Sequence, residues 1–242
     1  MEYAHSMWNG FQKLDFIFEG KEAILVLPKT SVEGKKWLLK TEYFNAFPQF
    51  ELEMLEKGYH LAYLQNETRW HVPEDDDRKE KFCAFLQEEF SLNEKCLPVG
   101  MSCGGLQAVY FAAAYPNRIA GLYLDAPVLN LLSCPVGVGT GTDLLYNDFV
   151  SHTGITKEQL INYRNHPMDK LPILLENKIP VMMVCGDTDY VVPHKENGQV
   201  FYDRYLEQGG DITMIVKMGC GHHPHGLEDN TPIHEFVERV YQ

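Results

Sequence analysis

The sequence predicts an α/β fold in which helices cover both faces of one mostly parallel β-sheet. Short apolar runs alternate with helical patterns along nearly all of the 242 residues, as in other proteins of this class. Runs such as Ala23–Leu27 and Val181–Cys185 are apolar at every position, which is typical of strands buried on both faces. The length fits one domain and no linker interrupts the pattern, so we expect residues 1–242 to form a single domain.

The first third of the chain predicts a hairpin, then alternating helices and strands. The expected strands are Leu14–Phe18, Ala23–Leu27 and Tyr59–Leu64. Trp37–Phe47 is ambiguous, and we interpret it as a short helix. A clearer helix is Gln49–Lys57, which Gly58 ends. The acidic run Glu74–Asp77 favours a helix start, so we expect the next helix at Arg78–Phe90.

The remainder of the sequence predicts four more strands separated by helices. Strands are expected at Leu97–Val99, Ile119–Leu124, Val181–Cys185 and Ile212–Val216. Helices are expected after Ser102, and at Asp143–His152, Lys157–Asn165, Lys195–Gln208 and Thr231–Tyr241. The segment between Val128 and Lys178 therefore predicts a small helical insertion.

Composition excludes several classes of partner. The formal net charge of −13 argues against binding to nucleic acid or to an anionic membrane surface. The six cysteines form no C-x-x-C pair, which favours free thiols. No apolar run is long enough for a membrane helix, and the first residues lack the pattern of a signal peptide, so we expect a cytoplasmic protein unless a leader has been removed.

The segment from Gly100 to Gly104 fits the pattern G-x-S-x-G, with Ser102 at its centre. An apolar strand precedes it, and Leu106, Val109 and Tyr110 follow at helical spacing. A turn of this kind holds a serine hydroxyl clear of the sheet, above the N-terminus of a helix that favours negative charge. Ser102 is therefore a candidate nucleophile.

An acid and a histidine follow later in the chain, each after a predicted strand. Asp187 and Asp189 come directly after Val181–Cys185, and His222, His223 and His225 come after Ile212–Val216. The carboxyl ends of parallel strands meet at one edge of the sheet, so these groups are expected near Ser102. The order Ser, Asp, His matches one of the known arrangements of a catalytic triad.

The residues alone leave alternatives open. Either His222 or His223, and with less support His225, can be the base, and Asp187 is the second choice for the acid. Cys103 could replace Ser102 as nucleophile, although it falls at the helix start. A zinc site on the three histidines needs a fourth ligand, so we expect neither a metal ion nor another cofactor.

These residues resemble the α/β-hydrolase superfamily from about Leu14 to the C-terminus. The resemblance implies an α/β-hydrolase fold and places the catalytic acid on Asp189 and the base on His222. It also implies that the backbone N–H of Cys103 contributes to an oxyanion hole. The second donor should follow Ala23–Leu27, where the chain lacks the usual His-Gly pattern, and Trp37 is the expected donor.

Three loops resemble those of compact bacterial α/β hydrolases, a group similar to prolyl-oligopeptidase-type and acyl-esterase catalytic domains. The loops are Asp125–Val128, Val192–Asn197 and Gly219–Gly226. This resemblance implies a serine esterase that cleaves a short, acetyl-type acyl ester of a carbohydrate or another small molecule. That ester is the only partner that the sequence predicts. The alternatives are a peptidase or amide hydrolase, and a non-catalytic binding or scaffold protein of the same fold. Substrate identity and oligomeric state do not follow from the residues.

Overall fold

A computed structural model describes all residues from Met1 to Gln242. Nine strands form one sheet in the order β1-β2-β3-β5-β4-β6-β7-β8-β9. The strands are β1 (Ala4–Trp8), β2 (Phe11–Phe18), β3 (Lys21–Leu27), β4 (Trp37–Lys40), β5 (His60–Leu64), β6 (Leu97–Met101), β7 (Leu122–Asp125), β8 (Val181–Gly186) and β9 (Ile212–Lys217). The first three pair in antiparallel fashion, and the other six are parallel to one another. The sheet is therefore mostly parallel, as predicted.

Eight helices accompany the sheet. They are α1 (Gln49–Glu56), α2 (Pro73–Phe90), α3 (Cys103–Ala114), α4 (Tyr146–Thr153), α5 (Lys157–Ile161), α6 (Leu171–Glu176), α7 (Gly198–Glu207) and α8 (Thr231–Val240). Their order and connections confirm the predicted alternation of strands and helices. No helix combines the length and the apolar character that crossing a membrane requires.

The helices divide between the two faces of the sheet. Alternate residues of one strand point to opposite faces, so Met182 packs with α1 and α8 while Met183 packs with α2, α3, α6 and α7. The first cluster contains Phe50 and Phe236, and the second contains Phe82 and Phe201. Each face thus has its own apolar core, and the buried strands are apolar throughout for that reason.

The prediction of a short helix at Trp37–Phe47 is wrong. Trp37–Lys40 is strand β4, which lies between β5 and β6 and is buried at all four positions. A loop from Thr41 leads on to α1. The pairing partners of β4 are distant in sequence, and local propensity does not report them.

The sequence also gave no sign of β1. Four of its five residues are exposed, so the strand lacks the apolar alternation that identifies a half-buried strand. Within the insertion between Val128 and Lys178, α4 and α5 match predicted helices, whereas α6 was not predicted. Leu171 and Leu174 join α6 to the main core, which makes it part of the helical layer.

Candidate active site

Ser102 lies at the sharp turn between β6 and α3. Its backbone has φ 54° and ψ −119°, a strained conformation for a residue with a side chain. Gly100 permits this turn because β6 and α3 approach so closely that a Cβ there would lie 2.5 Å from the Gly104 oxygen. Gly104 is less constrained, since a Cβ there would lie 3.2 Å from the side chain of Glu42. The first glycine of the G-x-S-x-G pattern is therefore a steric requirement of this turn.

Three of the predicted residues meet at the carboxyl edge of the sheet. The Nε2 atom of His222 lies 3.1 Å from the Ser102 Oγ. The Nδ1 atom of the same ring lies 2.7 Å from the Asp189 Oδ2. The imidazole thus bridges a hydroxyl and a carboxylate, each within hydrogen-bond distance.

The loop after β8 fixes the Asp189 carboxylate. Its Oδ1 atom accepts hydrogen bonds from the backbone N–H groups of Val191 and Val192, at 2.8 and 2.9 Å. The side chain of Asp189 is 1% exposed and that of His222 is 8% exposed. Because both Asp189 oxygens are engaged, the carboxylate can hold the ring of His222 in one orientation.

The second-choice residues lie outside this chain of contacts. The Asp187 Oδ1 atom accepts a 2.6 Å hydrogen bond from the Gly219 N–H, so Asp187 braces the histidine loop. His223 is exposed, and its ring stacks on Phe47 at 5.2 Å between centroids. Burial, followed by the neighbouring His222 and His225, lowers the pKa of His223.

His225 forms a second histidine–carboxylate pair next to the first. Its Nδ1 atom lies 2.6 Å from the Asp125 Oδ1, and both side chains are almost fully buried. The other Asp125 oxygen accepts hydrogen bonds from the Gly226 N–H at 2.7 Å and from the Tyr123 hydroxyl at 3.1 Å. Asp125 is the last residue of β7, which places it at the same edge of the sheet as Ser102.

The two predicted oxyanion donors lie in different places. Cys103 is the first residue of α3, so its N–H has no acceptor within the helix and is available beside Ser102. Trp37, in contrast, begins β4 at the opposite end of the parallel strands, and its N–H is at the wrong edge. The expectation for Trp37 is therefore wrong, because residues 37–40 form a strand that carries the chain across the sheet before it reaches the site.

Tyr43 lies on the loop that follows β4 and contributes to the wall of the site. Its ring lines the same cleft as Ser102 and Arg69, and the Cys103 thiol is close enough to influence the pKa of its hydroxyl. Burial, and then the neighbouring thiol, raise the pKa of Tyr43 well above its usual range, so the phenol keeps its proton. Burial likewise raises the pKa of the Cys103 thiol to about 11, which leaves it protonated and a poor nucleophile.

The sequence reasoning missed Tyr43 and Arg69. Tyr43 lay within the stretch interpreted as a helix, and Arg69 lay in a polar loop without a recognisable motif. Correct assignment of β4 would have placed Tyr43 just beyond the carboxyl end of a central strand, the position where functional groups of such sheets collect.

A cleft of about 350 Å³ opens above Ser102. Tyr43 and Arg69 lie on its wall, and its other lining residues are Ala46, Phe47, Met101, Leu145, Val191, His222, His223 and His225. A larger groove of about 790 Å³ runs along the edge formed by β1, β2 and β3, and none of the candidate catalytic residues lines it.

The insertion is fastened over this cleft through Asp148 of α4. The Oδ2 atom of Asp148 accepts hydrogen bonds from the Arg69 Nε and Nη2 at 2.9 and 2.6 Å. It also accepts one from the Trp70 Nε1 at 2.6 Å. Leu145, directly before α4, is thereby held against the cleft.

Solved structures with this fold include several large peptidases. The acylaminoacyl peptidase of Pyrococcus horikoshii superimposes with a TM-score of 0.67 at 17% identity, over 88% of this chain and 37% of its own. Dipeptidyl peptidase 4 of Porphyromonas gingivalis gives 0.66 at 13% identity, over 97% of this chain and 35% of its own. The chain therefore spans well under half the length of these peptidases.

A protein of matching length has the same fold. TT1662 from Thermus thermophilus superimposes with a TM-score of 0.62 at 15% identity, over 100% of this chain and 99% of its own. Sequence similarity adds the family, because the model of the prolyl oligopeptidase family matches residues 57–242, which include Ser102, Asp189 and His222. The chain belongs to the prolyl oligopeptidase family and has the α/β-hydrolase fold.

Proposed function

We propose that this protein hydrolyses short acyl esters, with Ser102 as nucleophile, His222 as base and Asp189 as the acid that orients the base. The contacts from Ser102 through His222 to Asp189 carry this proposal, at 3.1 and 2.7 Å. A serine hydroxyl is a weak nucleophile near neutral pH and needs such a base within hydrogen-bond reach.

The reaction proceeds in two halves. In the first, His222 Nε2 accepts the Ser102 proton while Oγ attacks the ester carbonyl carbon, and the protonated ring then gives that proton to the departing alcohol. In the second, a water molecule attacks the acyl-enzyme, with His222 again accepting and returning the proton, so that the acid is released and Ser102 is restored. Asp189 keeps the proton of the neutral ring on Nδ1 and stabilises the charged ring.

The Cys103 N–H and the Tyr43 hydroxyl are the proposed donors to the oxyanion. The Cys103 N–H is the first free donor of α3, and Tyr43 lines the same cleft as Ser102. A phenol is protonated near neutral pH and can donate a hydrogen bond to an oxyanion in that cleft. Tyr43 replaces Trp37 in our assignment.

The size of the cleft supports short acyl groups. Its volume of about 350 Å³ is near the lower end of the range for small-molecule sites, about 300–1,000 Å³. Ala46, Leu145 and Val191 provide apolar contacts for an acyl chain. Acetylated sugars are the first natural class to test, as the sequence resemblance implies, after p-nitrophenyl esters.

Labelling with a fluorophosphonate tests the nucleophile, and hydrolysis of p-nitrophenyl acetate tests the reaction. We expect wild type and Ser6→Ala, which alters a serine of the distant strand β1, to be labelled and active. Ser102→Ala should lose both properties. Labelling of Ser102→Ala would overturn the assignment of the nucleophile, and an unlabelled wild type would favour a non-catalytic member of the fold.

A peptidase is the second candidate, and the family match favours it. The same attack on an amide must expel an amine, to which the protonated His222 would donate its proton. Comparison of p-nitrophenyl esters with aminoacyl p-nitroanilides separates the two candidates. A higher kcat/KM on the anilides would replace the ester assignment.

A further inference from the structure

Three imidazoles meet at the mouth of the cleft. His222, His223 and His225 all come from the loop after β9, and their ring centroids lie 4.8, 5.1 and 5.0 Å apart. One possible ligand atom from each ring lies within 4.8 Å of those of the other two. The proposed mechanism uses only His222, so two imidazoles of this cluster have no part in it.

Two of the three rings are already oriented as metal-binding histidines are. The Nδ1 atoms of His222 and His225 contact Asp189 and Asp125, at 2.7 and 2.6 Å. A carboxylate on one ring nitrogen fixes the tautomer and strengthens the other nitrogen as a ligand, which is the usual arrangement around protein-bound zinc. In both residues Nε2 is the nitrogen left for a metal ion.

From this geometry we infer that the three histidines bind a zinc ion at the cleft. Imidazole nitrogen is a preferred ligand of zinc, whereas magnesium and calcium prefer oxygen. The two carboxylates behind the rings supply the negative charge that compensates the cation. Three protein ligands leave one tetrahedral position, and water or a substrate oxygen supplies the fourth ligand whose absence argued against zinc in the sequence.

The loop can close around an ion without disturbing the core. Tetrahedral zinc with bonds of about 2.0–2.1 Å places its nitrogen ligands about 3.3 Å apart, so the rings must approach by up to about 1.5 Å. His223 is exposed, and a Cβ on Gly219 or on Gly221 would meet no atom within 4 Å. These neighbours give the exposed ring room to turn towards the other two.

Zinc bound here inhibits the enzyme. The ion occupies His222 Nε2, the atom that lies 3.1 Å from the Ser102 Oγ and accepts its proton. This consequence rests on the proposed function, whereas the binding of zinc does not. The inhibition is reversible, because a chelator removes the ion and restores the base.

Calorimetry with zinc chloride tests the site directly. The experiment uses the untagged 242-residue chain carrying Ser102→Ala, which keeps all three ligands and does not depend on catalysis. One zinc ion should bind per chain, and His223→Asn in the same background should weaken the affinity by about tenfold or more. His152→Asn, which alters an exposed histidine of α4, should bind zinc as tightly as its parent. Cobalt(II) should give the strong visible absorption of a tetrahedral site.

The inhibition experiment uses the active enzyme. Zinc should stop hydrolysis of p-nitrophenyl acetate, EDTA should restore it, and His223→Asn should need about tenfold more zinc relative to its own metal-free rate. Failure of Ser102→Ala to bind zinc, or equal affinity in His223→Asn, would overturn the site. If zinc binds but no ester is cleaved, the site stands and the proposed function fails. If esters are cleaved and zinc does not bind, only the site fails.

Discussion

At the scale of single residues, the two aspartates after β8 have different tasks. Asp189 contacts the ring of His222 at 2.7 Å, whereas Asp187 accepts a hydrogen bond from the Gly219 N–H. Asp189→Asn should lower kcat by about 10⁴, because an amide no longer selects the tautomer of the base. Asp187→Asn keeps an acceptor for Gly219 and is the matched control, so its kcat should change by less than about tenfold. Steady-state kinetics on p-nitrophenyl acetate would refute the assignment if the two losses were equal.

Tyr43 is the second residue whose role can be measured. Tyr43→Phe removes only the hydroxyl, so the ring still fills its place on the wall of the cleft. We expect kcat to fall by about 10²–10³ with little change in KM, as for the loss of other oxyanion donors. The rate of fluorophosphonate labelling should fall with it, because that reagent also generates a charged oxygen. An unchanged kcat would assign the second donor to a backbone N–H of the loop after β4.

The sequence alone was sufficient to identify those candidate site residues that belong to a recognisable sequence pattern. Ser102 stands in a turn whose first glycine, Gly100, is sterically required, and Asp189 and His222 each follow an apolar strand. Tyr43 carries no such pattern, because a tyrosine in a loop is common and only three-dimensional proximity relates it to Cys103. Spacing alone could not rank His222 and His223, which are neighbours in one loop; the family resemblance favoured His222, and the structure brings its Nε2 to 3.1 Å from the Ser102 Oγ.

At the scale of secondary structure, β4 shows that tertiary contacts can decide whether a segment forms a strand or a helix. Its four residues are buried between β5 and β6, two parallel strands that both come later in the chain. The same residues were interpreted as a helix, and the error moved the expected oxyanion donor to the wrong end of the strand. Long helices such as α2, with acidic residues in the first turn, were predictable because their signals are local.

Strand β5 begins with His60, a residue that makes the stability of the folded protein depend on pH. His60 is buried, its Nδ1 has no hydrogen-bond partner, and burial lowers its pKa to about 4. In the unfolded chain the side chain of His60 takes up a proton near pH 6.5. Between about pH 6.5 and pH 4 the unfolded state therefore holds more protons than the folded state. The contribution of neutral His60 to stability is therefore complete above that range and is lost as the pH falls towards 4.

Urea unfolding at several pH values tests this contribution. The free energy of unfolding of wild type should fall with decreasing pH more steeply than that of His60→Gln, by at most about 1.4 kcal/mol per pH unit. His5→Gln, which alters an exposed histidine of β1, should follow the wild-type curve. Parallel curves for wild type and His60→Gln would show that His60 titrates normally in the folded protein.

At the scale of the whole molecule, the sheet provides the reacting groups and the insertion limits the space above them. The mostly parallel sheet, the position of the turn at Ser102 and the helices on both faces followed from the alternation of apolar runs, whereas the order of the strands did not. The position of the insertion relative to the sheet could not be predicted from the sequence, because the contacts of the insertion join segments that are far apart in the chain. Arg69 and Asp148, for example, are separated by 79 positions.

These contacts make acyl-chain selectivity a property of the assembled molecule. Asp148 holds α4, and with it Leu145, over the cleft through its bonds to Arg69 and Trp70. Asp148→Ala removes all three hydrogen bonds and should let the insertion move outwards. The ratio of kcat/KM for p-nitrophenyl octanoate to that for the acetate should then rise by about tenfold, because wild type excludes the longer chain. Asp143→Ala, which alters an exposed carboxylate of the same insertion, should leave the ratio unchanged. A wild-type preference for chains longer than about eight carbons would contradict the proposal that the insertion restricts this cleft of about 350 Å³ to short acyl groups.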